Sequence, residues 1–417
     1  MKILLLGINY APEKVGIAIY TARMAEALVE QGHEVEVVAA RPYYPGWRLM
    51  DGHSGFAYTR GCERGVSITR VPLYVPRNPS GAKRVLHHLS FALAALPPMI
   101  RRGLGWRPDL VIAIAPSLIA APLARLAALL CGARTWLHVQ DFEVEAAFAT
   151  GLVGDIGLNG RLARRFERWI LTGFDNVSSI SRQMCSRLAE KGVAPERIVA
   201  FRNWADLDAI SPLDRASLYR EEWGIGTPHV ALYSGNIANK QGIEIVVEAA
   251  RLLQHRKDLT FVVCGEGPSR GRLEALARGL GNIQFRDLQP TERLNELLGL
   301  ASIHLLPQCA SAAGLMLPSK LTNMLASGRP VVVTAAQGTD LAIEAEGCGL
   351  VVEPGNAEAF GQAIARLIDD PVLRRKTGAA ARQRAEHRWN GRLILGEFCD
   401  EISREVWRER GRKEVSF

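Results

Sequence analysis

The chain has 417 residues, 48% hydrophobic and 23% charged, with a formal charge of +8. That length exceeds what one hydrophobic core usually organises, so two domains are expected, and the composition excludes a disordered or fibrous chain. The positive balance points to anionic partners, and seven scattered cysteines without CxxC spacing exclude a zinc-ribbon or disulfide framework and fit a reduced cytosolic protein.

Residues 2–7 (KILLLG) are predicted as a buried first strand, not a signal segment, because the apolar run stops at Asn9 with Pro12 and Glu13 close behind. A glycine-bearing loop with Tyr10 and Gly16 leads into "IAIYTARMAEALVEQG", a helix by its 3.6-residue period, with Gly32 as its C-terminal stop. "EVEVVAA" is the next strand. Residues 64–108 hold no Asp or Glu but carry Lys83, Arg84, Arg101 and Arg102 around the apolar "VLHHLSFALAALPPMI". An interfacial helix on an anionic inner leaflet has this pattern, as does a buried helix with solvated ends. No apolar run reaches the ~20 residues of a membrane-spanning helix.

"PDLVIAIA" and "RTWLHVQ" are further strands, with the helical "SLIAAPLARLAALLCG" between them. After the second come Gln140, Asp141, Glu143 and Glu145. A carboxylate at a strand's carboxyl end is a candidate general base, so Asp141 is singled out, while His138 alternates with Gln140 as a strand residue. "NGRLARRFERWILTG" is helical and "NVSSIS" a strand. Such repeated βαβ units predict a parallel, doubly wound α/β sheet. Asp206 and Asp208 form a DxD pair that fits turn and capping chemistry, and no metal site is expected. The polar stretch from Asp206 to His229 reads as the link between domains, with boundaries set at 1–210, 211–390 and a terminal helix at 391–417 crossing back to the first domain.

The alternation then restarts with "VALYSG", "LTFVVCGEG", "IQFRDL", "IHLLPQ", "PVVVTA" and "GLVVEP" as strands. Ligands of open parallel sheets bind beyond the strands' carboxyl ends. Four loops lie there. The first holds Gly235, Asn236 and Lys240; the second, Gly265 and Gly267; the third, Leu288 in "DLQP"; the fourth, Gly314, Leu315 and Met316 followed by Lys320 and Asn323. Free backbone N–H groups, glycines and two lysines make a phosphate cradle without a metal. Taken singly, each loop also fits an ordinary βα turn.

Read together, the N-terminal glycine loop with "GHEVEVV", "NWAD", "SGNIANKQG", "CGEGP" and "LASGRPVV" resemble, in order and over nearly the whole chain, GT-B retaining glycosyltransferases of family 4. "GINYAPE", "RPYYPGW", "LHVQDFEVEAAF" and "LPSKLTNMLASGRPVV" are similar to the bacterial exopolysaccharide and O-antigen branch typified by the colanic acid fucosyltransferase and N-acetylfucosamine transferases. The resemblance implies two Rossmann-like domains with a cleft, no cofactor, and transfer of a fucose-type sugar from a GDP or UDP donor to a polyprenyl-diphosphate-linked saccharide. The lipid-linked acceptor implies a cytoplasmic protein at the inner face of the membrane, and nucleic acid is not an expected partner. The family's pyrophosphate lysine maps to Lys240, and the arginine before it to Asn236. The second Glu of its EX7E element maps to Asn323, and the first falls near Leu315. The His of its HD pair maps to Gln140, with Asp141 kept. The implied site has Asp141 and Lys240 as catalytic residues, Gly16 among the donor ligands, and Tyr10, Gln140 and Glu143 toward the acceptor. Two other readings stand beside it: a GT-B sugar-nucleotide epimerase, and a non-catalytic sugar-nucleotide-binding subunit that has lost its Glu pair.

Overall fold

The computed structural model describes residues 1–13, 16–53, 55–145, 157–238, 241–309 and 317–415. The chain divides into two compact units, Met1–Arg202 with Leu395–Phe417, and Asn203–Ile394.

In the first unit the order is β1 (Lys2–Gly7), α1 (Ile17–Glu30), β2 (Glu34–Ala40), β3 (Thr59–Glu63), β4 (Val66–Val71), α2 (Gly81–Arg101), β5 (Leu110–Ala115), α3 (Ala121–Cys131), β6 (Arg134–Val139), α4 (Leu158–Thr172), β7 (Asn176–Ser179), α5 (Arg182–Glu190) and β8 (Ile198–Ala200). The sheet runs β3-β4-β2-β1-β5-β6-β7-β8. All its pairs are parallel except the edge pair β3–β4. β5 is buried at every position, and β1 at all but its first, as expected of strands covered on both faces. β3 was not legible in the sequence: TRGCE is exposed throughout and carries no apolar period.

The second unit follows with α6 (Tyr219–Glu222), β9 (His229–Ser234), α7 (Glu244–Leu252), β10 (Leu259–Cys264), α8 (Arg270–Leu276), β11 (Ile283–Arg286), α9 (Leu294–Leu300), β12 (Ile303–Leu306), α10 (Lys320–Ala326), β13 (Val331–Thr334), α11 (Asp340–Ala345), β14 (Gly349–Val352), α12 (Ala357–Asp369) and α13 (Pro371–Arg388). Its six strands are ordered β11-β10-β9-β12-β13-β14, all parallel. One face of the sheet packs Phe261, Val263 and Ile303 under Val246, Phe360 and Ile364, and another cluster gathers Leu321, Leu325 and Val333 with Ala381 and Trp389.

The division between units falls before Asn203, ahead of the 210 boundary read from composition. Ala205 N donates to Trp389 O at 2.8 Å, and Gly391 N to Ala205 O at 3.3 Å. A Cβ on Gly391 would stand 2.5 Å from Trp204, so glycine permits that contact. α14 (Gly391–Val415) ends the described chain, and Phe398 on it stacks on Phe201 at 3.7 Å between ring centroids. Asp206 Oδ1 accepts from Asp208 N and Ala209 N at 3.2 and 3.1 Å, and Asp208 pairs with Arg392 at 2.8 Å, so this DxD holds a turn.

Candidate active site

In the second unit the carboxyl ends of β9 and β10 meet through glycines. Gly235, Gly265 and Gly267 have φ of +133°, +150° and +155°, values that side chains other than glycine's rarely adopt. A Cβ on Gly265 would strike the Gly235 carbonyl, and one on Gly267 the Ile237 carbonyl. The two loops are therefore joined backbone to backbone: Gly235 N donates to Cys264 O at 2.9 Å, Ile237 N to Glu266 O at 2.8 Å, and Ser269 N to Ile237 O at 3.1 Å. Arg270 fastens the third loop, donating to Gly265 O at 3.2 Å and to Asp287 Oδ1 at 2.6 Å. Next to Asp287, Leu288 is exposed and offers an apolar surface.

Lys320 opens α10 against this cradle. A Cβ on Gly235 would lie 3.6 Å from its Nζ. The Nζ is buried and has no hydrogen-bond partner among the described residues, and it sits 4.1 Å from the centre of the Tyr233 ring. The ring faces the cation, and the Tyr233 hydroxyl donates to Asn236 O at 2.6 Å. Burial pushes the Lys320 ammonium down to about 7. Asn323, one turn further along α10, is half-buried on the face that Lys320 shares. Lys240, Gly314, Leu315 and Met316 lie outside the described residues. Tyr233 escaped the sequence reading. Its signal is an aromatic residue two places before the loop glycine, at the end of a buried strand.

In the first unit the loops after β1, β2, β5 and β6 share the corresponding edge. Glu143 Oε1 accepts from Leu118 N at 2.8 Å and from Ser117 N, which ties the β6 loop to the start of α3. Burial pushes its carboxyl up to about 7, with the charge of nearby Asp141 adding to the rise and the two amides opposing it. Asp141 itself is half-buried. Gln140 is buried, its Nε2 3.0 Å from His138 Nε2, and His138 Nδ1 lies 2.9 Å from Ser178 Oγ. Both are interior residues that hold the strand end, and burial holds His138 at about 3, far below the ordinary imidazole value. Tyr10, expected toward the acceptor, is 2% exposed and packs among core residues. Gly16 stands just before α1 with φ +64°. Glu13 was missed. It accepts from Tyr43 N at 2.8 Å, Tyr44 N at 2.9 Å and Asn9 Nδ2 at 2.9 Å, joining the β1 and β2 loops. A lone carboxylate in "NYAPE" was its only signal.

On α2, Val85, Leu86, Leu89 and Leu93 are exposed and follow one stripe. Lys83, Arg84 and Arg101 are exposed around it. Arg84 lies over Trp47, 5.6 Å from the ring centre. Arg102 departs from the expected set of lipid-facing cations: it is committed to Glu36 at 2.6 Å. Among the described residues no helix is long and apolar enough to cross a membrane.

Two doubly wound α/β units, with a glycine cradle and a buried cation at the carboxyl edge of the second, match the GT-B architecture. Residues 15–204 match the glycosyl transferase 4-like domain, and residues 217–384 match the glycosyl transferases group 1 domain. A colanic acid biosynthesis glycosyl transferase of Escherichia coli (strain K12), WcaI, is 42% identical over 413 residues, covering 96% of this chain and 100% of that one. Among solved structures, a sucrose-phosphate synthase from Thermosynechococcus elongatus superposes with a TM-score of 0.74 at 18% identity, over 98% of this chain and 100% of that one. Anabaena HepE in complex with UDP and glucose does so with a TM-score of 0.70 at 15% identity, over 97% and 99%. The chain belongs to the GT-B-fold group 1 glycosyltransferases, and it is a glycosyltransferase.

Proposed function

We propose that this enzyme moves a fucose-type sugar, with retention, from a nucleoside diphosphate donor to a polyprenyl-diphosphate-linked saccharide in exopolysaccharide assembly. One observation carries the donor half: a buried lysine ammonium beside a backbone cradle, with no counter-charge among the described residues. Such a cation is costly alone and becomes favourable once an anion is bound. A diphosphate has the charge and size for the cradle. The full-length likeness to a colanic acid biosynthesis enzyme, and the UDP named for a structural neighbour, support the same reading.

Lys320, with Lys240, stabilises charge that develops on the leaving diphosphate, and the preorganised loops spend little reorganisation on it. In a front-face substitution that diphosphate helps take the acceptor's hydroxyl proton. Asp141 orients the acceptor, and Glu143, holding two amides, sets the loop that carries Asp141. The apolar stripe of α2 with Lys83, Arg84 and Arg101 provides the lipid-facing surface.

A thermal-shift panel with UDP, GDP, ADP and CMP, with and without EDTA, tests the donor half. A selective, EDTA-insensitive rise with GDP or UDP that vanishes in Lys320→Ala is expected. Equal behaviour of the wild type and Lys320→Ala with every nucleotide would remove the reading.

A further inference from the structure

At the amino ends of β9, β12 and β13, the edge of the second sheet opposite the glycine cradle, the unit has a cavity of about 770 Å³. Six arginines line it: Arg215, Arg220, Arg329, Arg374, Arg375 and Arg382. The one acidic residue in its wall is Glu386.

Among the described residues, ion pairs account for only two of these six cations. Arg215 pairs with Glu296, and Arg382 Nε with Glu386 at 2.7 Å. Arg220, Arg329 and Arg374 have no carboxylate partner among the described residues. They are anchored by carbonyl oxygens instead: Arg220 donates to Thr227 O, Arg329 to Leu213 O at 3.3 Å, and Arg374 to Leu367 O and Ile368 O at 2.9 and 2.8 Å. A guanidinium has five donors, and these bonds use one or two of them. The Arg329 Nε is buried and unpartnered. Arg375 is exposed.

The charges press on one another. Burial, then Arg374, lowers the pKa of Arg329, while burial, then Arg375, lowers that of Arg374 against the opposing charge of Asp370. His229, at the opening of β9, is held below the ordinary imidazole value by burial and then by Arg374. Like charges held together away from water are unfavourable until an anion neutralises them.

The walls are closely built. Gly299, Gly328 and Gly378 all line the cavity. A Cβ on Gly299 would strike Leu213, one on Gly328 would come within 2.8 Å of Pro212, and one on Gly378 within 2.6 Å of the Gly328 carbonyl. The volume lies in the range of small-molecule sites, and the forked donors match phosphate geometry. No Phe, Tyr or Trp side chain lines the cavity, and the single imidazole of His229 does not make the row of stacking surfaces on which single-stranded nucleic acid is held.

We infer that this arginine cavity is a second anion site, which takes a di- or triphosphate group independently of the sugar-donor site. The group can be that of a free phosphorylated metabolite or that of a lipid headgroup, and the two sources share this chemistry.

The test is titration calorimetry of inorganic pyrophosphate into the full-length wild type, Lys320→Ala, Arg375→Glu and Arg329→Gln. Binding that persists in Lys320→Ala and weakens at least tenfold when Arg375→Glu is added to that background is the expected result. Arg375 is exposed, so its variant keeps the fold, and it decides the matter if Arg329→Gln proves unstable. Absence of pyrophosphate binding in Lys320→Ala, or equal affinity in Lys320→Ala and a Lys320→Ala/Arg375→Glu double variant, would overturn the site. Because Arg375→Glu is compared within one Lys320→Ala background, any pyrophosphate still held by the donor loops is common to both proteins, and failure here is separable from failure of the donor reading. Flotation on vesicles carrying a polyprenyl diphosphate, with matched vesicles lacking it as the blank, assigns the source. Flotation lost in Arg375→Glu and competed by pyrophosphate supports a headgroup; flotation unchanged while pyrophosphate binding falls supports a free phosphate compound.

Discussion

At the residue scale, Lys320 shows a cost in stability kept at the position proposed to hold the donor. Its ammonium titrates at about 7 in the folded chain, against ~10.4 for an exposed lysine. Between those values the unfolded chain holds a proton that the folded chain has released, so stability rises with pH across that window. The penalty is present in full below pH ~7. Lys320→Met should therefore raise the melting temperature at acidic to neutral pH, with the gain shrinking toward pH ~10, while the nucleotide-dependent shift disappears. Melting curves across pH check this. A gain that does not change with pH would assign the effect to packing instead of charge. From the sequence, Lys320 was legible as a cation at a helix start. Its isolation was not, because that depends on Tyr233 and Gly235, brought beside it by pairing of strands distant in the chain. Gln140 and Tyr10 illustrate the reverse: each stood in a plausible motif, but burial, which no local pattern reveals, turned them inward.

At the element scale, the buried parallel strands were read correctly from apolar runs between turn signals, and α1 from its period and the glycine after it. β3 was missed because an exposed antiparallel edge strand needs no apolar pattern, only a partner. The glycines after β9 and β10 were legible as flexible; that two of them exist to let one loop's backbone touch the other's was not. Gly265→Ala adds a Cβ against the Gly235 carbonyl at a φ that alanine rarely adopts. The expected loss is about 2–4 kcal/mol, from strain and forced displacement together. Urea denaturation of the variant measures it. A loss below ~0.5 kcal/mol would mean that the two loops move apart freely.

At the scale of the whole molecule, the +8 charge is not spread evenly. One concentration surrounds the exposed apolar stripe of α2, and another lines the arginine cavity. The first was visible in the sequence as a long stretch without acidic residues. The second was not, because its arginines come from three stretches far apart in the chain, 215–220, Arg329 and 374–382. For α2, Lys83→Gln, Arg84→Gln and Arg101→Gln together should reduce flotation on anionic vesicles at low salt, with the wild-type binding itself weakening as salt rises. Arg102→Gln should add little to this, since that guanidinium already serves Glu36. Unchanged flotation of the triple variant would remove α2 from the membrane surface.

The backbone stitching of the β9 and β10 loops also has a consequence in time. Gly235, Ile237, Gly265 and Ser269 all donate their N–H groups to carbonyls within the unit. The hydrogens of Gly235, Ile237 and Ser269 can exchange with solvent only when the two loops part, and that of Gly265 only when its bond to Arg286 O on β11 opens. In deuterated buffer these four should exchange on the slow clock of the neighbouring strands, before any nucleotide is added. A donor sugar would then meet a surface already set, and its binding should be recorded mainly as a change at Lys320, with little further slowing of these amides.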